Sequence, residues 1–204
     1  MKTQIRRGVF ETNSSSVHSI SIIKDDFKGP LPKKVTIDCN AEFGWEADTY
    51  DCLASKAAYI YQAILYYPYS LICGENDIVA AQEILQGLMD KFLGNLESYG
   101  IKVECKYRFT KIHYSEYTHN GKKYSYDYVV FVDENGNESK DRGYLDHGGE
   151  AKDLVDYVLS SPENTVKFIF DNRCFIDTGN DNKGIYGDGK HRNYGEAIIF
   201  EKGN

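Results

Sequence analysis

Four small polar residues and a histidine stand close together near the N-terminus, at Asn13, Ser14, Ser15, Ser16 and His18. Consecutive backbone N–H groups in such a loop can form an anion-binding concavity, and the serine hydroxyls add further donors. A histidine beside them can supply a proton or a metal-ligating nitrogen near neutral pH. The segment therefore predicts a phosphate-binding loop. A hairpin loop whose serines are merely solvated is the alternative.

A second candidate is the segment YLDHGG at 144–149. Asp146 and His147 precede two glycines and the start of a predicted helix. The N-terminus of a helix favours a bound anion, and the two side chains could hold a metal there. An aspartate near the helix cap beside an exposed histidine is the alternative.

The third candidate is the segment DTGNDNKG at 177–184, which concentrates oxygen ligands in a turn-forming stretch. Its spacing does not match the EF-hand loop, but a divalent cation is still a candidate cofactor. A plain turn rich in Asn and Asp is the alternative.

We hypothesise that the three loops converge on one cavity that binds or processes a phosphate-bearing small molecule or a nucleotide. His18 would act as general acid/base, and Asp146 would orient an imidazole or bind a metal. The catalytic candidates are His18, Asp146 and His147. The ligand-binding candidates are Arg7, Glu11, Asn13, Ser14, Ser15, Ser16, Asn180, Asp181 and Asn182. No P-loop pattern and no GxGxxG after a strand is present, so no motif identifies the nucleotide.

The elements that must position these loops follow an α+β pattern. Apolar spacing and capping residues predict helices over 49–67, 76–99 and 149–160. β-branched and aromatic runs predict strands at 3–11, 17–23, 35–39, 165–171, 174–178 and 196–201. We expect one α+β domain over residues 1–204, built on an antiparallel sheet with hairpins and about three helices.

Asn-Gly pairs at 120–121 and 135–136 predict hairpin turns. If residues 120–121 are the turn, the numbers of each facing pair add up to 241. Tyr117 then lies opposite Tyr124, on the same face as Tyr126 and Tyr128. The hairpin therefore presents an aromatic face, and an exposed face of this kind is expected to bind a partner or to self-associate.

Composition narrows the function classes. The chain has 204 residues, a formal net charge of −7 and 17 tyrosines. An acidic chain repels nucleic acid and anionic membranes, so no overall binding to either is expected. The charge and the tyrosines open a second hypothesis: a stoichiometric, anti-CRISPR-like inhibitor that occupies the basic channel of a host nucleic-acid enzyme without catalysis.

The five cysteines are scattered and form no CxxC motif, which favours small buried hydrophobic side chains over a zinc site or a redox pair. No apolar run reaches the length of a signal peptide or of a membrane span. The sequence therefore predicts a soluble cytoplasmic protein.

The three loops together carry a family resemblance. The stretch 8–19, GVFETNSSSVHS, resembles the opening of uncharacterised proteins of phages and prophages of Gram-positive bacteria. The pair Asp146-His147 and the stretch TGNDN at 178–182 resemble two later segments of the same group. The resemblance covers about a sixth of the chain. It implies a phage accessory protein in the bacterial host, three loops that belong together, and a family-variable insertion at about 49–142. It implies no mechanism. Among the functions weighed above, we favour a ligand-binding site in a counter-defence setting.

Overall fold

A computed structural model describes residues 16–44, 48–70, 78–133, 135–140, 143–146, 148–180, 184–185 and 196–202. These ranges form four α-helices and twelve strands, and the predicted α+β class is confirmed. The helices are α1 (Leu53–Tyr66), α2 (Ile78–Glu97), α3 (Lys152–Leu159) and α4 (Pro162–Phe170). The strands are β1 (Ser16–Ile23), β2 (Lys34–Ile37), β3 (Glu42–Phe43), β4 (Thr49–Tyr50), β5 (Lys102–Cys105), β6 (Phe109–His119), β7 (Lys122–Val132), β8 (Glu138–Ser139), β9 (Tyr144–Leu145), β10 (Phe175–Asn180), β11 (Gly184–Ile185) and β12 (Ala197–Lys202).

The largest sheet has the order β11-β10-β1-β12, and β4 also pairs with β10. β1 lies antiparallel to both β10 and β12. Burial alternates over residues 16–19 of β1, as expected for a strand with a period of two, and residues 20–23 are all buried. Two short parallel pairs, β2 with β5 and β3 with β9, lie outside this sheet. The buried apolar side chains of strands and helices form one continuous core.

Helix α1 is the central element of that core, since residues 56–65 are all buried. A helix that is buried all round lacks the polar face of a surface helix. Lys56 is accommodated because its ammonium group donates hydrogen bonds to two backbone carbonyls, those of Asp171 (2.6 Å) and Cys174 (2.8 Å). α1 therefore reaches both the large sheet and the segment that leads into β10.

The helix predicted over 49–67 starts later than expected. Thr49 and Tyr50 form β4 against β10, and the Thr49 hydroxyl donates to the Asp177 carboxylate at 2.6 Å. The helix begins after Cys52, whose sulfur accepts a hydrogen bond from the backbone N–H of Ser55 at 3.5 Å. Tertiary pairing with β10 thus overrides a local helix-start signal.

The strand predicted at 165–171 is wrong, because these residues form most of α4. Alternating Val166, Phe168 and Phe170 imitates a strand. Ser161 nevertheless starts a helix: its hydroxyl accepts from the backbone N–H of Asn164 at 3.2 Å, and Pro162 occupies the first turn. The helix predicted over 149–160 is a 3-10 turn, Gly148–Ala151, followed by α3.

The predicted hairpin between β6 and β7 is confirmed with its register. Asn120 and Gly121 both have positive φ angles, 50° and 73°, as a type I′ turn requires. Gly136, with φ of 82°, turns the chain from β7 into β8. Tyr117 pairs with Tyr124 and His113 with Tyr128, so the four tyrosines share one face. Tyr117, Tyr124 and Tyr126 are about half exposed there.

Candidate functional site: the polar end of the buried sheet face

The structure describes only part of the predicted site. His18, Ser16, Asp146 and the backbone of Asn180 lie within the described ranges. The remaining predicted residues lie outside them: Arg7, Glu11, Asn13, Ser14, Ser15, His147, Asp181 and Asn182. The predicted strand at 3–11 also lies outside. The site can therefore be built from the strands that lead into and out of the polar loops.

The start of β1 and the end of β10 lie at the same end of the large sheet. Ser16 is the first residue of β1 and pairs with Asn180, the last residue of β10. The next pairs along the ladder are Val17 with Gly179 and His18 with Thr178. Two segments that are far apart in the sequence are thus brought into direct contact by the register of one antiparallel strand pair.

The buried face of the sheet changes from apolar to polar at this end. Ile20 and Ile22 of β1 and Ile176 of β10 are buried in the main core. Nearer the strand ends, Ser16, His18 and Thr178 take their place, and all three are 0% exposed. Because side chains two residues apart lie on one face of a strand, Ser16 and His18 are neighbours on the inner face.

His18 is held at both ring nitrogens. Nε2 lies 2.8 Å from the carbonyl oxygen of Gly44, and Nδ1 lies 2.9 Å from the hydroxyl of Tyr59. A carbonyl can only accept, so Nε2 carries the proton and donates it to Gly44. Burial raises the pKa of Tyr59 well above its ordinary value, so its hydroxyl stays protonated and can donate to Nδ1. In the neutral imidazole the proton therefore lies on Nε2.

Asp146 approaches the same end of the sheet through the short β3–β9 pair. Phe43 pairs with Leu145, and the backbone N–H of Asp146 donates to the carbonyl of Phe43 at 2.9 Å. The next residue after Phe43 is Gly44, whose carbonyl oxygen accepts the hydrogen bond from Nε2 of His18. The backbone of Asp146 and the side chain of His18 therefore bond to two successive residues, Phe43 and Gly44.

The carboxylate of Asp146 is buried and accepts a hydrogen bond from the hydroxyl of Tyr144. Burial, followed by the bond to this carboxylate, raises the pKa of Tyr144. The hydroxyl therefore remains a donor over the physiological range.

Ser16 is the unusual member of the buried polar group. Its hydroxyl oxygen is buried and has no hydrogen-bond partner within the structure as described. The hydroxyl of Thr178, by contrast, bonds to the backbone of Asp48. Leaving a buried hydroxyl unpaired costs about 1–3 kcal/mol. A buried unpaired hydroxyl is rare in folded proteins and calls for an explanation.

Sequence reasoning missed Tyr59, Gly44 and Thr178 as site neighbours. Tyr59 lies off the apolar stripe predicted for the first helix, and its burial follows only from the complete enclosure of α1. Gly44 contributes a backbone carbonyl, for which the sequence carries no signal. Thr178 belongs to the TGNDN stretch, in which only the asparagines and the aspartate are predicted to bind a ligand.

A cavity of about 730 Å³ lies away from this site, between residues 24–29 and residues 171–173. Its lining mixes cations with carboxylates, among them Lys28, Arg173 and Asp171. Arg173 and Asp171 already pair at 2.7 Å, which leaves the cavity without one dominant charge. This cavity does not include His18, Ser16 or Asp146.

Within the described ranges, no group of three or more His, Cys, Asp or Glu side chains is arranged to hold a metal ion. The divalent cation expected from the sequence would depend on Asp181 and on His147, which lie outside those ranges. It therefore stays a prediction.

The chain was compared with known protein families, curated proteins and solved structures. None of them matches it. No helix within the described ranges has both the length and the apolar character needed to cross a membrane. The geometry and chemistry of the site are therefore the basis for any functional conclusion.

Proposed function

We propose that the polar end of the large sheet binds a phosphate-bearing small molecule or nucleotide. The observation that carries the proposal is the buried hydroxyl of Ser16, which has no partner among the described residues. An unpaired buried hydroxyl raises the free energy of the free protein, and that cost is removed when a ligand oxygen accepts its hydrogen bond. Ser16 pairs with Asn180, so the ligand would lie between the two polar loops.

The chemistry of the surrounding groups supports a ligand that carries a phosphate group. Successive backbone N–H groups of residues 13–16 and the serine hydroxyls would donate to phosphate oxygens, and Arg7 would supply charge. Asp146 is a carboxylate and would repel phosphate unless a cation lies between them. The proposal therefore includes a divalent cation as a candidate bridge at this position.

In this arrangement His18 would first of all position its neighbours. Both ring nitrogens are engaged, so a role as general acid/base would require the Tyr59 or Gly44 bond to open. As arranged, the imidazole fixes Gly44 relative to β1 and shapes the wall behind Ser16. Binding is therefore the core of the proposal, and catalysis by His18, Asp146 and His147 is its extension.

The test is a thermal-unfolding screen of the full chain with sodium phosphate, sodium pyrophosphate and adenosine nucleotides, each with and without magnesium chloride. Sodium sulfate at matched ionic strength is the control for general salt effects. A ligand at 100 times its Kd adds about 2.7 kcal/mol of stability. For a chain of this size that corresponds to a rise in Tm of roughly 5–10 °C. Equal shifts with sulfate and with every phosphate compound would overturn the proposal.

A second candidate function is the acidic inhibitor, and the exposed tyrosine face is the observation that favours it. Tyr117 and Tyr126 are 51% and 50% exposed on one face of the β6–β7 hairpin. Tyrosine is enriched in protein interfaces. Lys140, however, lies over the ring of Tyr128 at 4.5 Å. The same face also carries Lys122. Because these lysines would be repelled by a basic channel, the acidic surface that occupies such a channel would have to lie elsewhere on the chain.

For either candidate we propose that the chain is a phage or prophage accessory protein, as the resemblance implies, and that it acts against a host defence system. The support for this setting is the three segments that carry the resemblance. Two of them, at 8–19 and 178–182, lead into the paired ends of β1 and β10.

A further inference from the structure

Two of the five cysteines lie side by side, although 66 positions separate them in the chain. β2 and β5 are parallel partners, with Ile37 opposite Cys105. Cys39 follows two residues after Ile37, and its sulfur lies 3.6 Å from that of Cys105. Both thiols are free. The scattered spacing in the sequence suggested unrelated buried thiols, whereas the parallel pairing of two strands makes them neighbours.

The surroundings of the two sulfurs favour ionisation of one of them. A hydrogen bond from Cys105 is the largest influence on Cys39 and lowers its pKa to about 6, against the opposing effect of burial. The reciprocal bond raises the pKa of Cys105. Of the two thiols, Cys39 is therefore the one that ionises more readily. Tyr61 donates to the carbonyl of Tyr107 at 2.9 Å and also contributes to the lower pKa of Cys39.

The pair is reachable from outside. A cavity of about 320 Å³ is lined by Cys105, Lys106, Arg108, Phe109 and Val132. Cys105 is half-buried at its wall, and Cys39 lies behind it with 5% exposure. Two of the lining residues are cationic, and positive charge stabilises a thiolate. A small neutral oxidant can therefore contact the sulfur of Cys105, and the sulfur of Cys39 lies within 3.6 Å of it.

We propose that Cys39 and Cys105 form a redox-active dithiol that hydrogen peroxide converts into a disulfide linking the ends of β2 and β5. In the first step Cys105, the sulfur at the cavity wall, passes its proton to Cys39 and attacks one peroxide oxygen as a thiolate. The O–O bond breaks, and with one added proton the products are the Cys105 sulfenic acid and water. In the second step the neighbouring sulfur attacks the sulfenic sulfur. An S–S bond forms, the S–O bond breaks, and the thiol proton leaves with the hydroxide as water. Sulfur is oxidised and peroxide is reduced.

The covalent step needs only a local movement. A disulfide has an S–S distance of about 2.05 Å, so the sulfurs must approach by roughly 1.5 Å. Cys39 lies beyond the end of β2, and Cys105 is the last residue of β5. Neither is fixed in the middle of a hydrogen-bonded ladder, so rotation of the side chains and a small shift of the turn after Ile37 can bring the sulfurs together.

The test uses the reduced full chain and hydrogen peroxide in moderate excess, followed by alkylation, intact-mass measurement and peptide mapping. We expect the loss of two hydrogen masses, two fewer alkylated thiols, and one cross-linked peptide pair containing Cys39 and Cys105. Cys39→Ser and Cys105→Ser should each abolish this product. Cys52→Ser is the matched control, because Cys52 is exposed and hydrogen-bonded to a serine, and it should leave the product unchanged.

A parallel reaction in urea separates proximity from simple reactivity. In the unfolded chain the yield of the Cys39–Cys105 pair should fall at least tenfold relative to the folded protein. The proposal is overturned if the folded wild-type protein gives no such pair while Cys52 is oxidised. It is equally overturned if folded and unfolded chains give the pair in equal yield.

Discussion

The Nδ1 atom of His18 lies 2.9 Å from the hydroxyl oxygen of Tyr59. This contact links the third residue of β1 to the central helix α1. Both side chains are 0% exposed. A buried donor and a buried acceptor that satisfy each other are costly to separate, because either one alone is left unpaired. This contact therefore ties the geometry of the site to the stability of the core.

Replacing Tyr59 by Phe should lower the free energy of unfolding by about 1 kcal/mol, because Nδ1 of His18 loses its hydrogen bond to the Tyr59 hydroxyl. His18→Ala should lower it further, by roughly 1–3 kcal/mol, since a cavity and the unpaired Gly44 carbonyl are added. Urea denaturation of the two variants measures both. A histidine that only contacts ligand would leave the unfolding midpoint nearly unchanged, and that result would contradict the structural role assigned to His18.

Lys56 should make stability rise with pH in mildly alkaline solution. Burial lowers its pKa from 10.5 to about 8 in the folded chain. Between those values the unfolded chain holds a proton that the folded chain has released, so the free energy of unfolding increases with pH. Below about pH 8 both states are protonated and the cost of burying the charge is fully present. The slope due to one proton is at most about 1.4 kcal/mol per pH unit.

Lys56→Met provides the comparison, since it has a similar length and no charge. Other groups also titrate in this range; burial raises the pKa of Cys174, for example, which acts in the opposite direction. The quantity to measure is therefore the difference in unfolding free energy between wild type and variant at a series of pH values from 7 to 10. A difference that does not change with pH would show that the buried ammonium does not titrate in this window.

The tyrosine face of the β6–β7 hairpin should mediate self-association at high protein concentration. Tyr117 stacks on Tyr124 with ring centroids 5.3 Å apart, and both are exposed. Raising the salt concentration should strengthen association, because it screens the repulsion between Lys122 side chains of two copies and leaves apolar contact intact. Static light scattering over a range of concentrations measures this directly.

The double variant Tyr117→Ser, Tyr126→Ser should remain monomeric with little change in Tm, because both rings are half exposed. Tyr114→Ser is the matched control, since Tyr114 lies on the opposite face of the same strand. A wild-type protein that is monomeric at every concentration and salt level would refute this prediction.

Local sequence signals were sufficient where one short motif decides the structure. Asn120-Gly121 sets the turn, and the turn sets the register of every pair in the β6–β7 hairpin. The apolar stripe of α2 is regular over five turns, so its predicted bounds are close to those observed. The α4 segment failed because two signals compete there, and the cap at Ser161 outweighs the alternation of Val166, Phe168 and Phe170.

The candidate site was predictable only in part for a related reason. Composition identified the loops at 13–16 and 180–182, and the β1–β10 register brings their ends together. The partners of His18 come from positions 26 and 41 residues away. The Cys39–Cys105 pair spans 66 residues. Contacts of this kind depend on how sheets and helices pack, which no local pattern of residue types encodes.

The central claim is that the buried hydroxyl of Ser16 is kept for a ligand, and Ser16→Ala tests it most directly. Removing an unpaired buried hydroxyl should leave the Tm of the free protein unchanged or raise it. The same change should remove most of the Tm increase produced by the best phosphate compound of the screen. Ser19→Ala, on the same strand but the opposite face, should retain that increase. A Ser16→Ala protein that is less stable without ligand, yet responds to the ligand as the wild type does, would contradict the account.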